Sequence, residues 1–224
     1  MERKWIRRVL FATIGITAIY FLHPIFLQWL ASPLIASSSD QRSVDCVAIL
    51  SGHDRFGIVE SMYKQNQNLH VLVIQGPIDR LTKWKVTEPT SNRDRDALRD
   101  SGIPEEQIEV LGFSNHAEWE WARQLHQWIA NHPDRYVGVI CPQFDSQRTR
   151  IILDATATET SAGVSLIPLP AEEFNDRNWW TNRRGLKSFW QFSFDRVYTM
   201  AVGEEVPSAP QWDPDDYERQ LDGK

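Results

Sequence analysis

Residues 45–51 read Asp-Cys-Val-Ala-Ile-Leu-Ser, and residues 69–75 read Leu-His-Val-Leu-Val-Ile-Gln. Both stretches are nearly continuous apolar runs of strand length, and each is followed directly by a glycine, Gly52 or Gly76. Residues 54–65 between them carry apolar side chains at helical spacing, so the pattern predicts a strand, a helix and a second strand. Strands that are apolar on both faces are typical of a parallel sheet covered by helices.

The same alternation of strands and helices continues along the chain. Further strands are predicted at 107–111, 136–141 and 164–169, and further helices at 92–101, 114–131, 146–157 and 185–202, with a polar connector at 78–90. Ser114 or Asn115 is expected to cap the helix that ends near residue 131. The prediction is therefore an α/β domain over residues 45–203 with a doubly wound, mostly parallel, Rossmann-like sheet.

Charge is distributed unevenly over the 224 residues, whose formal net charge is −6. Residues 1–31 carry four basic side chains and one acid, whereas residues 204–224 carry seven acids and two bases. The acidic tail, which also holds three prolines, is expected to be disordered. An acidic chain lacks the basic surface of a nucleic-acid-binding protein, so we expect no nucleic-acid partner.

The basic residues at the N-terminus, which we call the basic head, are followed by a predicted membrane-spanning segment. Residues 9–39 contain no Asp, Glu, Lys or Arg, and residues 9–31 are long enough for one transmembrane helix. A cleaved signal peptide is the alternative, but its apolar region would be shorter, about 7–15 residues. Basic residues before the span favour a cytoplasmic N-terminus. We therefore expect a single-pass protein of the cell membrane, with a tether at 32–44 and an extracytoplasmic domain.

The cysteines and histidines indicate neither a disulfide nor a metal site. Cys46 starts one predicted parallel strand and Cys141 ends another, so their levels differ by roughly 16 Å. Disulfide geometry requires Cα atoms within about 7 Å. The histidines 116, 126 and 132 lie in one helical region, but no acidic or thiol ligand set accompanies them. No metal site is predicted, and the sequence identifies no cofactor.

A ligand site is expected where the strands end. Ligands of doubly wound sheets bind at the carboxyl ends of the strands, near the switch in strand order. The loops and first helical turns at this edge supply the candidate ligand-binding residues: Ser51, Gly52, His53, Arg55, Gln75, Gly76, Asn115, Glu120, Asp145 and Arg148. Backbone N–H groups at the following helix starts favour an anion there.

Three charged residues of this set have two interpretations each. Arg148 either holds a phosphate or carboxylate through its guanidinium or is a surface cation paired with Asp145 or Asp154. Asp145 either caps the helix that begins at residue 146 or acts as a general base. Glu120 either orients Arg148 or Arg55 across the cleft or is a solvated helix residue. Asp145 and His53 are the two candidates for catalysis; His53 is included because histidine titrates near neutrality.

The ten tryptophans are mostly interpreted as core residues. Trp119 and Trp128 fit the apolar face of their helix. Trp179 and Trp180 are the exception, because the same loop carries several arginines. This loop is expected either to rim the ligand pocket or to touch a bilayer surface, where aromatic and cationic side chains accumulate.

Six short motifs occur in an order that resembles a known family. They are Leu50-Ser51-Gly52-His53, Ile74-Gln75-Gly76, Gly102-Ile103-Pro104 leading to Ile108, Glu120-Trp121-Ala122, Asp145-Ser146-Gln147-Arg148, and Trp179-Trp180 followed by Arg184-Gly185-Leu186. Together they resemble the ElyC/SanA/YdcF family, also called domain of unknown function 218, over about residues 45–202. The chain departs from the family pattern in having a single glycine in its first loop, Asp145 where a histidine is usual, and Trp121 where an asparagine is usual.

The resemblance implies a role in cell-envelope biogenesis. The corresponding function would be to bind or process a small anionic, phosphate-bearing envelope precursor at the carboxyl edge of the sheet. A nucleotide-like ligand is the alternative occupant of the site. Because Asp145 replaces the usual histidine, the resemblance leaves open whether the protein is an enzyme. The alternative is a non-catalytic structural or docking module for envelope enzymes, with another envelope protein as its partner.

Overall fold

The computed structural model describes residues 2–37, 44–50, 56–76, 80–112, 119–157 and 163–204. Five strands form one parallel sheet: β1 (Cys46–Leu50), β2 (His70–Gln75), β3 (Ile108–Gly112), β4 (Val137–Pro142) and β5 (Val164–Leu169). Their spatial order is β3-β2-β1-β4-β5, so the order switches direction between β1 and β4. The predicted Rossmann-like α/β architecture is confirmed.

Seven helices accompany the sheet. They are α1 (Glu2–Ala31), α2 (Phe56–Gln65), α3 (Arg80–Lys83), α4 (Thr90–Asp100), α5 (Glu120–Asn131), α6 (Ser146–Thr156) and α7 (Arg183–Val202), as far as the described ranges show. Short 3₁₀ turns lie at Ser32–Leu34, Glu105–Gln107, Gln143–Asp145 and Trp179–Thr181. The predicted polar connector holds the short helix α3, and the predicted caps of α5, Ser114 and Asn115, lie outside the described residues.

The central strand β1 divides the core into two layers. Its alternate side chains Cys46 and Ala48 pack with α5 and α6, whereas Val47 and Ile49 pack with α2 and α4. All four are buried, which explains why the strand is apolar at every position. Helices therefore cover both faces of the sheet, as a doubly wound fold requires.

The strand register separates the two cysteines. Cys46 is level with Val137, and Cys141 lies four residues farther along β4. Both cysteines are buried and neither forms a disulfide, so the prediction that they do not pair with each other is confirmed.

A third apolar cluster attaches α7 and the end of α1 to the sheet. Phe144, Trp179 and Phe189 are buried in it, and the indole of Trp179 stacks on Phe189 with ring centroids 4.0 Å apart. The Trp179 Nε1–H donates to the carbonyl of Leu27 on α1 at 3.3 Å. A Cβ atom at Gly185 would lie only 2.3 Å from the Trp179 carbonyl oxygen, so the first turn of α7 requires glycine at that point.

The segment after α1 is built into the domain. Leu34 and Ala36, which the sequence assigns to the tether, are buried. The Ala36 backbone N–H donates to Ser146 Oγ at 2.9 Å, which joins this segment to the start of α6.

Within the part of the chain that the structure describes, no helix combines the length and the hydropathy needed to cross a membrane. The predicted acidic tail lies outside the described residues beyond Glu204.

Replacement of Gly185 by alanine is expected to destabilise the fold, because the new methyl group meets the Trp179 backbone and not a flexible side chain. Overpacking of this kind costs about 1–3 kcal/mol of unfolding free energy, which urea denaturation measures. Gly57→Ala is the matched control: no atom of the described residues lies within 4 Å of its added Cβ, so stability should be unchanged or slightly higher. Equal stability of the two variants would contradict this description of the α7 junction.

Candidate functional site

A cleft of about 860 Å³ lies at the carboxyl edge of the sheet. The ends of β4 and β5 supply Pro142 and Leu169, and the first turn of α2 supplies Gly57 and Ile58. The loop 170–174 and the first half of α7 complete the wall with Pro170, Ala171, Glu172, Glu173, Phe174, Arg184, Lys187, Ser188, Gln191 and Phe192. The volume is that of a small-molecule site, and the location beside the β1–β4 switch is the one expected for ligands of this fold.

The direction of α7 determines which side chains face the cleft. The Asn182 side-chain oxygen accepts the backbone N–H groups of Arg184 at 2.7 Å and Gly185 at 3.4 Å, which caps the helix. Arg184, Lys187 and Gln191 then follow at intervals of three and four residues, so they project from one side of the helix. The buried Phe189 projects from another side into the third apolar cluster.

The lining is both apolar and charged. Ile58, Leu169, Phe174 and Phe192 provide apolar surface, while the charged groups among the described lining residues are two cations and two carboxylates from α7 and the loop 170–174. Arg184 Nη1 lies 2.7 Å from Glu173 Oε1, and this pair is exposed.

Lys187 is the second cation of the cleft. It forms no ion pair or hydrogen bond with the residues that the structure describes, although Glu172 belongs to the same lining. The ammonium of Lys187 is therefore the group in this cleft that can accept an anionic ligand without first losing a protein partner among these residues.

Asp145 and Arg148 come together outside this cleft. Arg148 Nη1 is 3.8 Å from Asp145 Oδ1, and Arg148 Nε donates to Thr199 Oγ1 on α7 at 3.1 Å. Burial lowers the pKa of Arg148, and the charge of Asp195 opposes that shift. Arg148 thus pairs with Asp145, and its guanidinium links α6 to α7, while its predicted role in holding an anion stays a prediction.

The capping interpretation of Asp145 is wrong. Asp145 occupies the N-cap position of α6, but its carboxylate makes no capping hydrogen bond. The 3₁₀ turn Gln143–Asp145 enters the helix with nearly helical backbone angles at Asp145 (φ −94°, ψ −5°). Typical capping residues have extended backbone angles, which aim the side chain at the first free N–H groups.

Glu120 belongs to a network at the start of α5. Its carboxylate accepts from Arg123 at 3.3 Å and from Gln124 at 3.0 Å. Arg123 also donates to Glu204 beyond the end of α7 at 2.9 Å. Among the described residues, the cation that Glu120 contacts is thus Arg123 and not Arg148, and Arg55, the other expected partner, lies outside the described residues.

Gln75 and Gly76 lie at the end of β2. The Gln75 side-chain oxygen accepts from Ser91 Oγ on α4, which fixes the amide against that helix. Neither residue lines the cleft. Ser51, Gly52, His53, Arg55 and Asn115 lie outside the described residues, so their predicted roles stay predictions. The first four precede α2 in the chain, and α2 lines the cleft with its first turn.

Sequence reasoning missed most of the cleft-lining charges. Lys187, Glu172 and Glu173 are not among the sequence candidates, whereas Arg184 is one of the arginines in the segment that the sequence predicts to rim the pocket. The spacing of Arg184, Lys187 and Gln191 was the available signal, since it marks a polar face on α7. Trp179 does not rim the cleft, because it is buried beneath α7.

A second polar cluster lies at the opposite, amino edge of the sheet. Arg135 Nη2 is 3.1 Å from His70 Nε2, and burial, followed by the charge of Arg135, lowers the pKa of His70. Trp128 Nε1–H donates to Glu109 at 2.9 Å. No group of metal-binding side chains occurs among the residues that the structure describes.

The chain matches no protein-family model, no curated protein and no solved structure.

Acid should weaken the contact between α5 and α7 through Glu204. Its hydrogen bond from Arg123 lowers the pKa of this carboxyl, so its contribution to stability is present above the unfolded-state pKa and is lost as the pH falls through the folded-state pKa. Glu204→Gln should cost about 1 kcal/mol at pH 7 and reduce the loss of stability between pH 6 and pH 3. Chemical denaturation at several pH values measures both effects.

The exposed Glu106→Gln is the control, since it removes a carboxylate without removing this contact. If the stability of both variants depends on pH in the same way as the parent chain, Glu204 does not stabilise the end of α7.

Proposed function

We propose that this protein is attached to the cell membrane and binds a small phosphate-bearing precursor of the cell envelope in the cleft at the carboxyl edge of its sheet. Attachment is supported by the charge-free residues 9–39 and the basic head, which also favour an extracytoplasmic domain. The envelope role is supported by the resemblance to the ElyC/SanA/YdcF family.

The observation that carries the binding proposal is Lys187 in the cleft. Lysine is a common phosphate ligand because its ammonium can approach an anionic oxygen from many directions. Lys187 lies on the first half of α7 and faces a cavity bounded by the first turn of α2. The dipole of α2 places partial positive charge at that turn, which adds to the attraction for an anion.

The apolar part of the lining narrows the ligand class. Phe174 and Phe192 face the same cavity as Lys187 and Arg184, with Leu169 at the end of β5. A ligand with a hydrocarbon portion next to its phosphate would contact both kinds of surface. Isoprenoid phosphates, the lipid carriers of envelope precursors, have this composition. Binding, and not a specific reaction, is what these contacts support; the catalytic roles of Asp145 and His53 stay predictions.

Farnesyl diphosphate, a short isoprenoid diphosphate, tests the proposal by calorimetric titration of the detergent-solubilised full chain. We expect binding that weakens about tenfold or more in Lys187→Gln, because a charge-assisted hydrogen bond contributes about 1.5–3 kcal/mol. Glu172→Gln should bind at least as tightly as the parent chain, since it removes a negative charge from the cleft wall.

Lys64→Gln is the matched control. Lys64 lies in the last turn of α2, where it pairs with Glu60 and does not line the cleft. The proposal is wrong if the parent chain binds neither farnesyl diphosphate nor inorganic pyrophosphate, or if Lys187→Gln and Lys64→Gln bind alike.

A further inference from the structure

Helix α7 has two apolar faces, and only one of them is covered by the described residues. Gly185 and Phe189 lie against the third apolar cluster. On another side of the helix, Leu186, Trp190, Phe194 and Val197 are 40%, 56%, 68% and 59% exposed. Their spacing of four, four and three residues aligns them in one stripe, which we call the outer stripe of α7.

The outer stripe is continuous and aromatic. The rings of Trp190 and Phe194 stack with centroids 6.0 Å apart. Trp190 and Phe189 form an edge-to-face pair whose ring centroids are 5.4 Å apart. No acidic residue occurs in the stripe, since the one aspartate of α7, Asp195, lies on another side of the helix. Contiguous exposed apolar surface of this kind marks an interaction site.

Helix α1 presents a second exposed apolar surface that begins at the same junction. Leu27 and Ala31 pack into the cluster that holds Phe189, whereas Phe26 and Trp29 on other sides of α1 are exposed. Residues 9–39 contain no charged side chain. Helices α1 and α7 therefore both extend from the third apolar cluster, and each has an exposed apolar face.

Basic side chains precede the outer stripe on α7. Arg183 is exposed in the first turn, and it is followed by the exposed Arg184, which pairs with Glu173, and Lys187; the last two also line the cleft. Helices that lie on membranes combine an apolar stripe with cations that contact anionic headgroups, and Trp and Phe are common in the stripe. This charge pattern suits an anionic lipid surface.

We propose that α7 lies in the interface of a lipid bilayer, with its outer stripe against the acyl chains and its first two turns against anionic headgroups. The proposal rests on the membrane attachment proposed above and adds a second contact, made by the domain itself. The carboxyl-edge cleft, whose wall includes the first half of α7, would then lie at the membrane surface. An isoprenoid phosphate could reach it without leaving the lipid phase.

Depth-dependent fluorescence quenching tests this contact in the full chain reconstituted into phosphatidylcholine–phosphatidylglycerol vesicles. An environment-sensitive dye is attached to a cysteine introduced by Phe194→Cys, and in a second variant by Val197→Cys. Both native thiols are buried, and burial raises the pKa of Cys46 to about 12, so the dye should react selectively with the introduced cysteine. Arg99→Cys, on α4 at the opposite face of the sheet, is the control.

Dyes at 194 and 197 should shift to shorter emission wavelengths and lose intensity when the acyl chains carry nitroxide quenchers, whereas the dye at 99 should not. Equal responses at 194, 197 and 99 would overturn the proposal. A shift at 194 that disappears on dilution with unlabelled chain, without nitroxide quenching, would also overturn it and assign the stripe to a second copy of the chain. Farnesyl diphosphate binding is measured on the same samples, so a failure of the cleft and a failure of the stripe are distinguishable.

Discussion

The stacking of Trp179 on Phe189 is the contact on which the functional part of the molecule depends. It attaches the first half of α7 to the carboxyl edge of the sheet, and the absence of a side chain at Gly185 allows that approach. The same indole donates a hydrogen bond to the backbone of α1 at Leu27. One buried aromatic cluster therefore positions α1, α7 and the cleft wall that α7 forms. A large buried aromatic pair of this kind stabilises the folded state, both because apolar area is buried and because the rings stack in a favourable geometry.

The sheet supplies the other half of the site. Because the strand order reverses between β1 and β4, the helices that follow these two neighbouring strands, α2 and α6, pack on opposite faces of the sheet. The crevice of a doubly wound fold forms at this point. Here α7, and not the loop after β4, brings the cations to the crevice, and Arg148 has a structural role between α6 and α7. Among the described residues, the cations of the cleft thus come from its last helix, α7.

The strands could be predicted closely because each is an apolar run bounded by a breaker: the predicted 164–169 is the observed β5, and 69–75 differs from β2 by one residue. Asp145 shows what a local sequence pattern cannot predict. Its position suggests a helix cap, but its carboxylate lies near Arg148 and makes no capping hydrogen bond. The location of Lys187 in the cleft could not be predicted either. It depends on packing between segments more than a hundred residues apart in the chain, and local residue spacing carries no information about such packing. Five predicted site residues lie outside the described residues, so their roles stay predictions: Ser51, Gly52, His53, Arg55 and Asn115.

The decisive measurement is a crystal structure of the full chain with farnesyl diphosphate. We expect the diphosphate within hydrogen-bonding distance of Lys187 Nζ, and the isoprenoid chain against Phe174 and Phe192 beside the end of β5. Occupancy at any other place, including the outer stripe of α7 with the cleft empty, would contradict it.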